Sequence, residues 1–200
     1  RDWASAGHEI GNHSWSHHMN LGALPAEKIR DEVLRAHELI SSVTGEEPSG
    51  FIAPAWSTSQ SLLSILIENG YHYDTSLFPS LTIYPIVARI ALNHLKKPSR
   101  FFRVLSRRDW SFSLTRPNQP FWSSASYKPT RLDKSGIMVL PLPCRSLFEF
   151  PFWHTLNFIF GTGSTEKKLK KHLGAKGFYY LTHPADFCDT SDFSDLNDET

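Results

Sequence analysis

Two histidines four positions apart are the residues with the clearest capacity for chemistry. His13 and His17 lie in the stretch GHEIGNHSWSHH, residues 7–18. On a helical turn they would present two imidazole nitrogens to one divalent ion at about 2.0–2.1 Å each. A catalytic zinc ion normally takes three protein ligands and keeps a position for water, so a third ligand, preferably a carboxylate, is required. The spacing alone leaves two interpretations open, a metal-binding pair or two histidines without metal.

Two predicted helices follow residues 7–18, and we expect them to hold this stretch in place. Apolar residues at spacings of three and four predict a helix over residues 25–43, with proline in its first turn and Gly45 after its end. Ser57 followed three residues later by Gln60 is a capping-box pattern, which predicts the start of a second helix. Gly70 ends that helix.

Short apolar runs alternate with these helices and predict strands. The runs cover residues 51–53, 71–73, 137–142 and 178–181, the last ending at His183 and preceded by a lysine-rich helix over residues 165–173. This order predicts an α/β layered or barrel fold with parallel strands. Catalytic residues in such folds lie at the carboxyl ends of the strands.

Length and composition limit the classes of protein that fit. The chain has 200 residues, 40% of them hydrophobic, which suffices for one domain with a single core. A formal net charge of +1 argues against a dedicated nucleic-acid binder. Two cysteines are too few for a disulfide scaffold or a cysteine-based zinc site. No apolar run approaches eighteen residues, so no membrane-spanning helix is predicted.

Three motifs resemble those of the polysaccharide deacetylase family, the chitooligosaccharide-deacetylase homology domain of carbohydrate esterase family four. Residues 7–17 are similar to its metal-binding motif. Residues 51–57 (FIAPAWS) and 70–79 (GYHYDTSLFP) are similar to its third motif with the flanking strand. Residues 181–184 (LTHP) are similar to its last motif. The motifs occur in the order that the family has.

The resemblance implies a distorted (β/α) barrel, here incomplete at its N-terminus. It also implies metal-dependent removal of N-acetyl or related N-acyl groups from an amino-sugar polymer or a lipid-linked glycan. By position, His13 and His17 are metal ligands for a divalent ion, with Zn²⁺ favoured, and His183 is the general acid that protonates the departing amine. The expected substrate-binding residues are Trp15, Pro54, Trp56 and Leu181.

The family's third ligand and general base are two adjacent aspartates in a first motif, which would lie before Arg1. No Asp-Asp pair occurs in the chain. We therefore expect residues 1–187 to form a polysaccharide-deacetylase-like domain lacking its first strand, and the acidic residues 188–200 to be a flexible tail. On this interpretation the fragment itself is inactive, whereas a longer parent turns over substrate.

A second departure from the family lies at Ile52, where the family usually has an arginine that pairs with the catalytic aspartate. Three interpretations remain open. Another cation from Arg103, Arg107 or Arg108 replaces the arginine, the base works without it, or the parent is inactive. The alternative function is accordingly a non-catalytic glycan-binding descendant of the fold. A third is a metal-dependent hydrolase of a non-sugar amide.

Two clusters bear on the substrate. Aromatic residues concentrate between positions 148 and 160, where they would form core, a glycan platform or an acyl-chain site near a membrane: Phe148, Phe150, Phe152, Trp153, Phe158 and Phe160. Cations between positions 96 and 108 would form a solvated face, or meet a phosphate or an anionic membrane surface: Lys96, Lys97, Arg100, Arg103, Arg107 and Arg108.

The expected partners follow from these features. They are an N-acylated glycan or glycolipid substrate and, through the cationic cluster, a peripheral membrane contact, with no nucleic acid. The cell envelope and the cytoplasmic face of a membrane are both compatible locations. Asp109–Trp110 is the nearest likeness to the family's fourth motif, with ordinary loop packing as the alternative.

Overall fold

The computed structural model describes residues 2–82, 84–85, 88, 117–124, 127–130, 136–144, 146–154, 161–173 and 179–187. The chain divides into two compact units, Arg1–Pro151 and Phe152–Thr200. Predictions that concern the cationic cluster, Asp109–Trp110, the aromatic residues Phe158 and Phe160, and the acidic tail lie outside the described residues. The predicted domain limits, 1–187 and 188–200, stay a prediction.

The described part of the first unit contains a four-stranded mixed sheet in the spatial order β1-β2-β4-β3. Its strands are β1 (Gly50–Phe51), β2 (Tyr73–Asp74), β3 (Phe121–Ser123) and β4 (Ile137–Val139). Both β1–β2 and β2–β4 are parallel, whereas β3 is antiparallel to β4. Beyond β1, Asn12 forms a single parallel bridge to Phe51.

The predicted α/β class is therefore confirmed, and parallel pairing is confirmed for three of the predicted strands. The antiparallel β3 was not predicted, because residues 121–123 (FWS) are too short to show a period. The sheet formed by the described residues is open. The barrel stays a prediction.

Among the described residues of the first unit, the α-helices with defined bounds are α1 (Asp2–Ser5), α2 (Ala26–Thr44) and α3 (Gln60–Glu68). The predicted helix over residues 25–43 is confirmed by α2, which buries Ile29, Val33 and Ala36. It ends at Gly45, whose φ of 84° is in the left-handed region that glycine adopts without strain.

The start of α3 differs from the prediction. Ser59 caps this helix, because its hydroxyl accepts a hydrogen bond from the Leu62 N–H at 3.2 Å. Ser57, the predicted cap, is buried, and its hydroxyl accepts from the Gly22 N–H at 3.0 Å. A 3-10 helix over Pro54–Trp56 delays the start of α3 and directs Ser57 away from it.

The core of the first unit joins the sheet to helices α2 and α3. Its buried residues come from the sheet, from both helices and from the segments that connect them: Leu21, Ile29, Val33, Phe51, Ala53, Leu62, Leu63, Ile65, Leu66, Tyr71, Leu77, Phe121, Tyr127, Ile137 and Val139. Burial of apolar area at roughly 25 cal/mol per Å² is the main force that holds α2 and α3 against the sheet. The core thereby fixes the edge of the sheet on which Asn12, Phe51 and Asp74 lie.

The second unit contains helix α4 (Thr162–His172) and a 3-10 helix over Pro184–Phe187. The helix predicted over residues 165–173 is confirmed, with a start three residues earlier. The strand predicted over residues 178–181 is not present at residues 179–181, the described part of that run. Instead, Tyr180 packs on the buried Phe152 with ring centroids 5.0 Å apart, so the apolar run is used in side-chain packing.

Among the described residues, the helices lack the combination of length and apolar character needed to cross a membrane.

The close approach of Gly22 to the chain before α3 gives a test of this packing. A Cβ at position 22 would lie 2.5 Å from the Thr58 carbonyl oxygen. We expect Gly22→Ala to lower the free energy of unfolding by about 1–3 kcal/mol, as overpacking does. Urea unfolding followed by tryptophan fluorescence measures this.

The matched control is Gly11→Ala, where the nearest atom to the new Cβ would be the Gly50 carbonyl oxygen at 3.4 Å. We expect its effect to stay within about 0.5 kcal/mol. Equal unfolding midpoints for the two variants would contradict the packing described for Gly22.

Candidate metal centre

The candidate site begins where parallel elements of the sheet end. Asn12 is bridged to Phe51, Phe51 lies opposite Asp74, and Asp74 lies opposite Val139. Because these elements are parallel, the residues that follow them meet at one carboxyl edge of the sheet. His13 follows Asn12 directly, so the structure places the first predicted ligand at the edge where α/β folds hold their sites.

Asn12 is fully buried and fixes the start of the histidine loop, which we define as residues 13–18. Its side-chain amide donates to the Val33 carbonyl of α2 at 2.9 Å and to the Tyr71 hydroxyl at 2.7 Å. Its side-chain carbonyl accepts from the Ser14 N–H at 2.9 Å. Burial raises the pKa of Tyr71 to about 12, so this hydroxyl stays neutral. Sequence reasoning did not select Asn12, although it lies inside the metal-binding motif at residues 7–17.

The two predicted metal ligands lie side by side. The ring centroids of His13 and His17 are 4.9 Å apart, with the ring planes at 71°. A helical turn, expected from the spacing, is not the cause, because Ser14 and His17 have φ angles of 67° and 54° in the left-handed region. The loop therefore brings the rings together by two left-handed residues rather than by helical periodicity.

A hydrogen bond fixes the chemical form of His13. Its Nδ1 lies 2.7 Å from the Ile52 carbonyl oxygen. Since a carbonyl oxygen only accepts, Nδ1 carries the proton in this bond, and in the neutral ring Nε2 then carries the lone pair. Histidine ligands of metals are commonly held in this way by a carbonyl or carboxylate on the other ring nitrogen.

Helix α2 holds the outer part of the loop. Glu32 accepts hydrogen bonds from the Ser16 N–H at 2.8 Å and the Ser16 hydroxyl at 2.7 Å. Partial burial acts to raise the pKa of Glu32, but the bonds from Ser16 and the nearby His18 outweigh it, and the pKa lies below its usual range. The Arg35 guanidinium lies 4.5 Å from the centroid of the Trp15 ring, a cation–π contact.

The donor set fits a divalent ion in part. Two neighbouring imidazoles, one with its Nε2 lone pair fixed by hydrogen bonding, are ligands suited to zinc. Within the described ranges, no group of three or more His, Cys, Asp or Glu side chains gathers to hold a metal ion. His13 and His17 therefore amount to two ligands of a site that needs a third.

The predicted substrate-binding residues of this unit lie in two places. Trp15 is 43% exposed and uses one ring face on Arg35. Pro54 is buried at the start of its 3-10 helix. Trp56 is half-buried and packs edge-on against Phe78, with centroids 5.3 Å apart. Trp15 thus has the greater surface to offer a sugar, whereas Trp56 forms part of the packing.

Leu181 and His183 lie in the second unit. The Leu181 carbonyl accepts from the His154 N–H at 3.0 Å. The Asp186 carboxylate accepts from the His183 N–H at 2.7 Å and lies 3.7 Å from its Nδ1. The His183 side chain is 55% exposed. The Asp186 carboxylate therefore holds the backbone at His183 and lies beside its ring.

A buried acid near the sheet edge was missed by sequence reasoning. Asp74 is fully buried, and its carboxylate accepts from the Ser76 N–H at 3.0 Å, the Ser76 hydroxyl and the Tyr127 hydroxyl at 2.6 Å. The Tyr127 hydroxyl also bonds to Thr58. Burial raises the pKa of Asp74 to about 6, although these bonds act to lower it. Burial, followed by the Asp74 charge, raises the pKa of Tyr127 well above its usual value.

The signal for Asp74 was present in the sequence. An Asp-x-Ser directly follows the predicted strand 71–73, at the end where a parallel strand presents its site residues. Tyr127 gave no such signal, because its contact with Asp74 spans 53 positions.

Known proteins are similar to the segment that contains the histidine loop. Residues 1–73 match the family model described as polysaccharide deacetylase. The match agrees with the resemblance of the motifs in this segment, which holds His13, Trp15, His17, Pro54 and Trp56, and the roles of these residues stay predictions. Leu181 and His183 lie beyond the matched residues, so their roles stay predictions.

Two curated relatives match the same part of the chain. A peptidoglycan deacetylase of Helicobacter pylori is 42% identical over 72 residues, which are 36% of this chain and 24% of the relative. A chitin deacetylase of Pestalotiopsis sp. is 36% identical over 66 residues, which are 33% of this chain and 22% of the relative. The chain thus spans about a quarter of the length of these relatives.

Among solved structures, a family 4 carbohydrate esterase from Streptomyces lividans in complex with acetate is 25% identical, with a TM-score of 0.35. The match covers 38% of each chain. A TM-score this low does not define the fold.

The raised pKa of Asp74 predicts a pH dependence of stability. The pKa is about 6 in the folded chain against an ordinary value of 3.8, so the folded state holds the proton more tightly than the unfolded state. The resulting stabilisation is complete below about pH 4 and is lost, by about 3 kcal/mol, as the pH rises to about 6. Asp74→Asn cannot ionise, so we expect its stability relative to wild type to improve by that amount over the same interval.

Urea unfolding of both proteins from pH 4 to pH 7.5 measures this difference. Thr75→Ala, which removes a neighbouring hydroxyl and no ionisable group, is the control that should show no comparable change. A constant difference between Asp74→Asn and wild type across the interval would exclude the proposed protonation of Asp74.

Proposed function

We propose that this chain is part of a metal-dependent hydrolase that removes N-acetyl or related N-acyl groups from an amino-sugar polymer. The observation that carries the proposal is the pair of adjacent imidazoles, His13 and His17, at the carboxyl edge of the sheet. This pair lies inside the segment that matches the polysaccharide deacetylase family. A lipid-linked glycan is a second substrate class within the same proposal.

The names of the relatives support the substrate class. The two curated relatives are described as a peptidoglycan deacetylase and a chitin deacetylase, and both of those polymers contain N-acetylated amino sugars. The family also supports a (β/α) barrel for the complete fold, to which the parallel strands β1, β2 and β4 would contribute. A peripheral membrane contact through the cationic cluster belongs to the lipid-linked form of the proposal.

His13 and His17 would hold the metal, with Zn²⁺ favoured by its preference for imidazole. When bound, the ion supplies Lewis-acid polarisation of the amide carbonyl and a more acidic water. The Ile52 carbonyl orients the His13 ring through its Nδ1, and the contacts of Ser16 and Trp15 with α2 keep the histidine loop in place.

His183 would act as the general acid. An amide anion is a very poor leaving group, so the departing sugar nitrogen must receive a proton as the C–N bond breaks. The Asp186 carboxylate accepts from the His183 N–H at 2.7 Å and holds the backbone at this residue in place. Trp15 offers a ring face for a sugar, and Pro54, Trp56 and Leu181 complete the proposed substrate contacts.

One observation favours a second candidate, a non-catalytic glycan-binding protein of the same family. Ile52 occupies the position of the family's arginine, and its apolar side chain cannot pair with a catalytic carboxylate. Its backbone carbonyl nevertheless still anchors His13. A protein that binds zinc and glycan but releases no acyl group would support this candidate.

Paired alanine variants test the assigned roles in the full-length natural polypeptide. His13→Ala is expected to abolish zinc retention, because it removes one of two imidazole ligands. His183→Ala is expected to keep zinc and to lower the rate by roughly 10²–10⁴-fold, the range typical for loss of a general acid. Zinc content is measured by mass spectrometry, and the rate by acetate release from an N-acetylglucosamine oligomer.

The matched control is His18→Ala, a neighbouring exposed histidine whose Nδ1 accepts from the Asn20 N–H at 3.2 Å. We expect this variant to retain both zinc and rate. Equal loss of zinc in His13→Ala and His183→Ala would contradict the division into ligand and acid.

A further inference from the structure

A continuous path of hydrogen bonds joins the buried Asp74 to His13. The Ser76 hydroxyl donates to the Asp74 carboxylate and accepts from the Ala53 N–H at 2.8 Å. The Ala53 N–H and the Ile52 carbonyl belong to the same peptide group. That carbonyl accepts from His13 Nδ1 at 2.7 Å. One peptide group therefore receives its polarisation from Ser76 on one side and transmits it to His13 on the other.

The direction of every bond along this path is consistent. Each donor points towards Asp74, so a negative charge there strengthens the bonds cooperatively. A more polarised Ile52 carbonyl is a better acceptor for His13 Nδ1–H, which makes Nε2 a stronger electron donor. Because the pKa of Asp74 is about 6, the carboxylate is mainly ionised at neutral pH.

Asp74 is in a position to act only through other residues. It is fully buried, and its two oxygens are occupied by Ser76 and by Tyr127. A buried carboxylate costs stability unless its bonds compensate for lost solvation, so its presence on this path calls for a role beyond packing.

We propose that Asp74 is a positioning residue that, through Ser76 and the Ile52–Ala53 peptide group, holds His13 in the Nδ1–H tautomer and strengthens its Nε2 as a metal ligand. This inference rests on the proposed function, in which His13 binds the metal.

The test compares two hydroxyl deletions in one segment. Ser76→Ala cuts the path, whereas Thr75→Ala removes a neighbouring hydroxyl that donates to the Phe51 carbonyl at 3.3 Å and lies outside the path. Asp74→Asn keeps the shape of the side chain and removes its charge. Urea unfolding shows which variants fold. If only one of Ser76→Ala and Asp74→Asn folds, that variant alone is used for the test.

The first measurement is made on the metal-free chain. Long-range ¹H–¹⁵N spectra of the imidazoles report the protonation of each ring nitrogen of His13. We expect wild type and Thr75→Ala to share the Nδ1–H signature, and Ser76→Ala and Asp74→Asn to lose part of it towards the Nε2–H form. An unchanged His13 signature in both path variants would overturn the inference.

The second measurement is the dissociation constant for Zn²⁺ alone, determined by competition with a chelating dye. We expect Ser76→Ala and Asp74→Asn to bind about 10-fold more weakly than Thr75→Ala, the lower end of the range for residues that orient metal ligands. Equal affinities in the three variants would overturn the effect on the ligand. If wild type binds no zinc, the proposed function fails, while the imidazole spectra still decide whether the path controls His13.

Discussion

The bond between His13 and the Ile52 carbonyl is the constraint on which the candidate site depends. It joins the histidine loop to the segment that follows β1, at the edge where the parallel elements end. It also selects the ring nitrogen that carries the lone pair. The buried amide of Asn12 and the contacts of Ser16 with Glu32 then hold the loop from its two sides. A loop with two left-handed residues is thereby kept in one conformation.

The buried Asp74 carboxylate near this edge of the sheet lowers stability and polarises the hydrogen bonds that lead to His13. Asp74 is buried among the hydroxyls of Ser76 and Tyr127, where its charged form is less stable than in water. The same burial concentrates its effect on the Ile52–Ala53 peptide group, since electrostatic interactions are stronger in a medium of low polarisability. Ionisation of Asp74 near neutral pH thus reduces stability, and this residue lies on the hydrogen-bonded path to His13.

Sequence patterns predicted much of the fold and only the outline of the site. Long periodic segments such as α2, and apolar runs such as that at β4, are local signals, and both were confirmed. The cap of α3 was assigned to Ser57 rather than Ser59, because the 3-10 helix before it depends on tertiary packing. The histidine pair was recognised by spacing and resemblance, whereas the bonds from Asn12 and Tyr127 span 21 to 59 positions and are invisible to local patterns.

X-ray absorption spectroscopy at the zinc edge of the zinc-loaded full-length polypeptide shows directly whether His13 and His17 bind the ion. We expect two imidazole nitrogens at about 2.0–2.1 Å from the ion in the wild type, and no retained zinc in His17→Ala, as in His13→Ala. Zinc coordinated without imidazole in the wild type, or zinc retained by His17→Ala with the same imidazole count, would contradict this assignment.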